Sequence, residues 1–146
     1  MTRGAFSAMV VLLFSVTACG GSSPAAPSPP PVPARDSLNG ITNLNPAIDT
    51  VLQPGQTLTI SGTAGYTLAT ADLGSLMMIV KDQADRPIQT SSIGVVVARR
   101  GTGDATLTQT ITVPSDGVTS IRVYFALAPA GATSTNVTLL VTYPVR

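Results

Sequence analysis

The sequence lacks the residue types on which most catalytic and metal sites depend. It contains no histidine, no tryptophan and a single cysteine, and all seven of its acidic residues are aspartates. A Ser-His-Asp or Cys-His arrangement needs an imidazole to accept the proton, and zinc sites draw mainly on Cys and His ligands. One cysteine cannot form an intrachain disulfide. The composition therefore favours a protein that is not an enzyme and that holds no metal or other cofactor.

Charge is also scarce, and it is balanced. Only 10% of the residues are charged, and the formal net charge is +1. One of the eight basic residues, Arg3, lies in a segment that we expect to be removed, which leaves seven basic against seven acidic residues. A neutral chain has no excess charge to attract nucleic acid or an anionic membrane surface. We therefore expect no nucleic-acid partner.

Residues 1–18 have the pattern of an export signal. Arg3 is followed by an apolar run over residues 9–14 and then by small residues. A permanent transmembrane helix needs about 20 apolar residues, and this run is much shorter. The pattern therefore predicts a cleaved signal peptide rather than a membrane-spanning anchor.

The apolar run is followed by Val16-Thr17-Ala18-Cys19, which resembles the lipobox of bacterial lipoproteins. In that family a diacylglycerol is attached to the cysteine thiol, and the signal is cleaved before it. The resemblance implies a covalent acyl lipid on Cys19 and a lipid-anchored protein of the bacterial cell envelope. Gly20, rather than Asp, follows the cysteine, which favours the outer membrane if the cell is Gram-negative. An ordinary secretory signal with a chance cysteine is the alternative.

Residues 19–35 are predicted to form a tether between the lipid and a folded domain. The segment holds six of the 12 prolines, and most of the rest is Gly, Ser and Ala. Such a stretch cannot bury enough apolar area to offset its ordering. At about 3.1 Å per residue in polyproline II, it would reach roughly 50 Å. A P-x-x-P ligand for a proline-recognising domain, at residues 27–30, is the alternative reading.

Residues 36–146 are predicted to form the domain, because the dominant pattern there is apolar and polar alternation with period two, which is typical of strands with one buried face. Runs that are apolar on both faces, at 76–80 and 93–98, are expected to be central strands. Turn residues at 54–55, 82–87, 100–104 and 114–117 separate the runs, and 69–74 is expected to form a short turn with Thr70 as its cap. The predicted strands cover residues 41–44, 57–61, 76–80, 93–98, 106–113, 121–127 and 137–143.

About seven short strands with regular turns indicate an all-β fold, a single antiparallel β-sandwich. Residues 52–57 enter a strand at Leu58, and the chain closes with the alternating runs 121–127 and 137–143. This pattern resembles bacterial immunoglobulin-like or fibronectin type III-like domains, and the resemblance implies an Ig-like sandwich. A small closed barrel is the structural alternative.

Few residues remain as candidates for chemistry. Asp82 and Asp85 share one turn, but two carboxylates fall short of the six to eight oxygens that calcium prefers. Lys81, the only lysine, is the one possible base for a Ser-Lys dyad, and its position after a strand favours a solvated end. Arg99 and Arg100 precede a Gly-Thr-Gly sequence, but no helix follows that could supply a phosphate site.

The aromatic residues supply the last candidate site. Phe125 and Tyr143 fall on predicted inward faces, whereas Tyr124 points outward by parity and Tyr66 lies in a Gly-Tyr-Thr bend. The sequence therefore predicts a membrane-anchored lipoprotein whose domain has a structural or protein-interaction role, with a protein partner. The alternative is a glycan- or small-ligand-binding module, in which Tyr66 and Tyr124 would share one exposed face.

Overall fold

In a computed structural model of the chain, the structure describes residues 32–88, 94–135 and 137–146. The signal peptide, Cys19 and most of the proline-rich segment lie outside these residues. No helix in the described part of the chain is long and apolar enough to cross a membrane. The regular structure there consists of five strands: β1 (Ser37–Asn45), β2 (Thr57–Asp82), β3 (Gly94–Thr112), β4 (Ser120–Pro129) and β5 (Val137–Pro144).

The framework is a long antiparallel ribbon formed by β2 and β3. These strands have 26 and 19 residues, and they pair from Thr57 opposite Thr112 to Met78 opposite Gly94. The register shifts once, where residues 69–72 of β2 stand opposite Arg100 of β3. Extra residues on one strand bend the ribbon and increase its local twist. We call this bend the corner.

The corner divides the sheet into two layers. In the first layer, the first half of β2 (57–68) lies between β1 and the second half of β3 (101–112). In the second layer, the second half of β2 (73–82) lies between the first half of β3 (94–99) and β4, and β5 pairs with β4. Counted by layer, the five strands supply seven strand segments, three in one layer and four in the other.

Contacts between the layers show that they are packed face to face. A Cβ atom built on Gly62 of the first layer would lie 2.9 Å from Cζ of Phe125 in the second layer. A Cβ atom built on Gly94 would lie 3.1 Å from the carbonyl oxygen of Thr108. The Tyr143 hydroxyl of β5 donates a hydrogen bond to the carbonyl of Pro46, just after β1, at 2.7 Å. These contacts confirm the predicted antiparallel β-sandwich.

The core lies between the layers and is filled by alternate residues of each strand. In β2 the buried positions are the even-numbered ones, from Ile60 to Leu68 and again from Gly74 to Val80. Phe125 and Tyr143 are fully buried, as their parity predicted. Each large apolar side chain removed from water contributes about 1.5–3 kcal/mol. Burial also raises the pKa of the Tyr143 hydroxyl.

Two predicted breaks in the strands are wrong. Residues 69–74 and 100–104 were expected to be turns, but both continue as strand. They form the corner and its surroundings, where Gly101 adopts a φ of 106° that other residues rarely tolerate. Glycine occurs both at bends within a strand and at turns between strands, so a bend and a turn cannot be told apart from the glycine alone. The predicted turn at 82–87 and the loop at 114–117 do separate strands.

The expectation that 93–98 forms a central strand is also wrong for the part that the structure describes. Within the described residues, 94–99 pairs on one side only, with β2. Val95 and Val97 consequently leave 48% and 64% of their surface exposed. Residue 93 lies outside the described residues. Burial between two neighbouring strands therefore does not explain why this run is apolar on both faces.

Candidate interaction surface

The outer faces of the two layers differ in chemistry. On the first layer, threonines of β2 stand opposite threonines of β3, and their hydroxyl oxygens lie 2.9–3.2 Å apart in four cross-strand pairs. These hydroxyls bond to one another across the ribbon, in the manner of stabilising cross-strand pairs. The first layer therefore presents a polar face whose hydrogen bonds are largely made internally.

The outer face of the second layer is apolar. Its exposed side chains include Leu73 (47% exposed), Val95 (48%), Val97 (64%) and Leu140 (52%). These are four of the seven large hydrophobic residues that are exposed in the described part of the chain. Met77, which is half-buried, lies between Val95 and the strand β4. We call this surface, defined by these five residues, the outer apolar face.

A ridge and a trough run side by side across the outer apolar face. Val95 and Val97 on the edge strand form the ridge. Ser75 and Ala128 form the floor of the trough, where Ser75 lies opposite both Val97 and Ala128. Small side chains leave room that larger neighbours do not fill. The trough continues toward the corner as an open groove of about 400 Å³ that ends at residues 128–132.

The far end of the same face, away from the corner, is polar. The Lys81 ammonium lies 2.8 Å from the Asp85 carboxylate and 5.5 Å from the centre of the Tyr124 ring. The Tyr124 hydroxyl donates to the other oxygen of Asp85 at 2.9 Å. The hydrogen bond with Asp85 raises the pKa of Lys81, and a lysine held in its charged form is a poor general base. The arrangement does not support a Ser-Lys dyad.

Asp82 has a structural role in the turn that follows β2. One carboxylate oxygen accepts hydrogen bonds from the Ala84 and Arg86 amides, at 2.8 and 2.9 Å, and the other accepts from the Arg86 guanidinium at 2.7 Å. The bond from the Arg86 amide is the largest cause that holds the pKa of Asp82 below its ordinary value. Among the residues that the structure describes, no group of three or more His, Cys, Asp or Glu could hold a metal ion.

The structure does not bring Tyr66 and Tyr124 together on one exposed face. Tyr66 is only 8% exposed, and its hydroxyl accepts a hydrogen bond from the Arg99 amide at 3.2 Å. It lies on the inward parity of β2, whereas Tyr124 lies on the outer side of the second layer. The expectation that this pair shares one exposed face is therefore wrong. The Gly-Tyr-Thr sequence was interpreted as a bend, but it continues as strand, and strand parity directs Tyr66 inward.

The two arginines at the corner behave differently from each other. Arg100 forms an exposed ion pair with Asp72 at 2.8 Å. Arg99 stands opposite Leu73 at the end of the outer apolar face. In the described ranges its guanidinium makes no ion pair. Cys19, the predicted lipidation site, lies outside those ranges.

Sequence reasoning missed the outer apolar face, although the signal was present. The runs at 76–80 and 93–98 were seen to be apolar on both faces, and burial on both sides of a central strand was the interpretation. The segment of β2 is central in its layer, yet Met77 is still only half-buried. The outward-facing apolar residues therefore indicate a surface that is free to contact another molecule.

Comparison with known proteins finds likeness to solved structures. No protein-family model matches the chain, and no curated protein matches it. The chain is similar to the solved structure of the ASH/PapD-like domain of human CEP192 (PapD-like domain 7). The two are 14% identical, the match covers 86% of this chain and 94% of that one, and the TM-score is 0.39. The fold assignment rests on the strand pairing and interlayer contacts of the chain itself.

Proposed function

We propose that this protein is a lipid-anchored component of the bacterial cell envelope whose β-sandwich serves as a non-enzymatic protein-interaction module. The observation that carries the interaction role is the outer apolar face. Exposed apolar patches of this kind on a folded domain commonly mark contacts with other macromolecules.

The chemistry of the outer apolar face fits a protein partner. Its centre is free of charge, since Ser75, Met77, Val95 and Val97 surround it, and charged residues stand only at its ends. Protein interfaces have a core depleted of charge and a polar rim. Burying the exposed parts of these side chains would contribute about 25 cal/mol per Å² of apolar area.

The anchoring part of the proposal is supported by the sequence before the domain. The lipobox-like Val16-Thr17-Ala18-Cys19 supplies the acylation site, and two or three acyl chains hold a protein stably where one does not. The tether would then carry the domain outside the lipid surface. Gly20 favours the outer membrane in a Gram-negative cell.

Hydrogen bonds of Asp36 hold the start of β1 at the corner. One Asp36 carboxylate oxygen accepts hydrogen bonds from the Ala69 and Thr70 amides at 2.7 and 3.0 Å, and the other accepts from the Thr70 hydroxyl at 2.5 Å. The chain thus enters the sandwich at the corner. Whatever binds the outer apolar face near the corner lies on the side where the domain is attached.

Site-specific photo-crosslinking in intact cells tests the interaction role. A photoreactive phenylalanine analogue would replace Val97, and a matched variant would carry it at Thr108, an exposed residue of β3 on the other layer. We expect adducts of higher mass from position 97 and none from position 108. Equal adducts at both positions, or none at either, would contradict the proposal.

A further inference from the structure

Asn39, near the start of β1, is followed by a glycine, and this is the only Asn-Gly pair in the sequence. An asparagine loses its side-chain amide when the backbone nitrogen of the next residue attacks Cγ, and glycine hinders that attack least because it has no Cβ. Asn39 is exposed to solvent. We propose that Asn39 is a site of spontaneous deamidation in the folded protein, assisted by the hydroxyl group of Ser37. This modification is independent of the outer apolar face.

The backbone at Asn39 is an irregular part of β1. Leu38 pairs with Tyr66, and Gly40 pairs with the preceding residue of β2, Gly65, so Asn39 is the extra residue of a β-bulge. Gly40 has a φ of 140°, and a Cβ atom built on it would meet no neighbouring group within 4 Å. A peptide outside the regular ladder, with open space around it, can turn its nitrogen toward a side chain more easily than a regularly paired one.

The side-chain amide of Asn39 lies between two hydroxyl groups. The Ser37 hydroxyl donates a hydrogen bond to Oδ1 of Asn39 at 2.9 Å, and Nδ2 donates to the hydroxyl oxygen of Thr67 at 3.2 Å. When a nucleophile adds to Cγ, negative charge develops on Oδ1. A donor that is already aimed at this oxygen stabilises that charge. Ser37 therefore lowers the barrier to the attack on Cγ.

The reaction needs only water as a co-reactant. Hydroxide removes the proton from the backbone nitrogen of Gly40, which forms a bond to Cγ of Asn39 and moves an electron pair onto Oδ1. The electron pair returns, the bond between Cγ and Nδ2 breaks, and Nδ2 takes a proton from water and leaves as ammonia. The product is a cyclic imide. Water then adds to either carbonyl carbon of the imide and opens the ring, which leaves aspartate or isoaspartate at position 39.

The new carboxylate would stand close to an acidic residue of the neighbouring strand. A Cβ atom built on Gly65 would lie 3.6 Å from Cβ of Asn39 and 3.0 Å from Oδ1 of Asp104, so both side chains flank the same glycine. Like charges that face each other across strands destabilise their pairing. Isoaspartate also inserts a methylene group into the backbone of β1, shortly after Asp36 fastens the chain to the corner. Deamidation would therefore loosen the start of β1.

Peptide mapping of the full chain tests the site. The purified protein is kept folded at neutral and at mildly alkaline pH and is then digested with trypsin, which gives the peptide 36–81. Mass spectrometry of this peptide locates each replacement of an amide nitrogen by oxygen, and an isoaspartyl methyltransferase with a labelled methyl donor measures isoaspartate. Asn43 is the matched control, because it is exposed in the same strand but is followed by Leu44.

We expect conversion at Asn39 to rise with pH and conversion at Asn43 to be much slower. Ser37→Ala should lower the rate constant at Asn39 in the folded chain by about 2- to 10-fold, the equivalent of one hydrogen bond. Ser61→Ala, at a serine that lies opposite Asn45, should leave the rate unchanged. In urea, where the hydrogen bond from Ser37 is lost, wild type and Ser37→Ala should react at the same rate.

Three results would each overturn the proposal. They are an absence of conversion at Asn39 in the folded chain, equal rates at Asn39 and Asn43, and a Ser37→Ala chain that reacts as fast as wild type while folded. Circular dichroism before and after incubation checks that both serine variants are folded.

The effect on β1 has its own test. Asn39→Asp should lower the midpoint of urea unfolding. The loss should be smaller when Asp104→Asn is already present, because the neighbouring charge is then absent. A loss of the same size in both backgrounds would overturn the proposed repulsion between the two carboxylates.

Discussion

At the scale of single residues, Gly62 allows the two layers to approach each other. The space where its side chain would lie is occupied by the Phe125 ring, by Ile41 at 3.2 Å and by Leu44 at 3.3 Å. These three side chains come from β1 and β4, so one glycine is in contact with both layers. Any side chain at this position must displace residues of a closely packed core.

We expect Gly62→Ala to lower the free energy of unfolding by about 1–3 kcal/mol, the usual effect of overpacking a core. Urea denaturation followed by circular dichroism measures the change. Ser61→Ala, at the neighbouring outward position, is the control and should shift stability by less than about 0.5 kcal/mol. Equal effects of the two substitutions would show that the layers have room to adjust.

Residue positions were predictable where strand parity was unambiguous. Phe125 and Tyr143 lie in long alternating runs, and both are buried as expected. Tyr66 was not predictable in this way, because Gly65 directly before it resembles a turn residue. Gly103 lies opposite Tyr66 in the paired strand, and a Cβ atom there would lie 2.9 Å from the Tyr66 hydroxyl oxygen. Only the pairing of distant segments reveals that this glycine makes room for the ring.

At the scale of elements, Asp36 fastens β1 to the corner of β2. Burial alone would raise the pKa of this carboxyl, but the hydrogen bonds from Thr70 and the Ala69 amide outweigh that effect and lower it below the ordinary value of 3.8. A group with a lowered pKa in the folded state contributes stability above its unfolded pKa. That contribution is lost as the pH falls through the folded pKa.

We therefore expect Asp36→Asn to cost about 1 kcal/mol of stability at neutral pH, the usual net value of a hydrogen bond. The difference between wild type and variant should shrink as the pH falls below 3.8. Urea titrations between neutral and strongly acidic pH measure it. A difference for Asp36→Asn that stays constant across this pH range would refute the carboxylate's role.

Element boundaries were the least predictable part of the fold. The positions of β4 and β5 followed from their alternation, whereas the prediction for β1 covered only 41–44 of Ser37–Asn45. Both β2 and β3 were divided into two predicted strands. The division falls at the corner, where four residues of β2 face one residue of β3. The local sequence indicates a change of direction there. It gives no sign that the same two strands pair again beyond the bend.

At the scale of the whole molecule, the proposed location depends on Cys19. The thiol is the group on which the lipobox resemblance places the acyl chains. The proposal makes these acyl chains the means of attachment. It therefore separates anchoring, which depends on Cys19, from folding of the β-sandwich.

We expect Cys19→Ala to abolish incorporation of labelled palmitate and to release the protein from the membrane fraction as precursor or soluble product. Ser22→Ala, three residues further on, should keep both the label and the membrane association. Unchanged labelling of the Cys19→Ala chain would rule out the anchor. A folded domain with an unaltered melting temperature should be recovered from both variants.

The sharing of β2 and β3 between the layers has a mechanical consequence. In a sandwich whose sheets are joined only by loops, one sheet can loosen while the other persists. Here the same two strands run through both layers, so loosening one layer pulls on the backbone of the other. We therefore expect the two layers to unfold together.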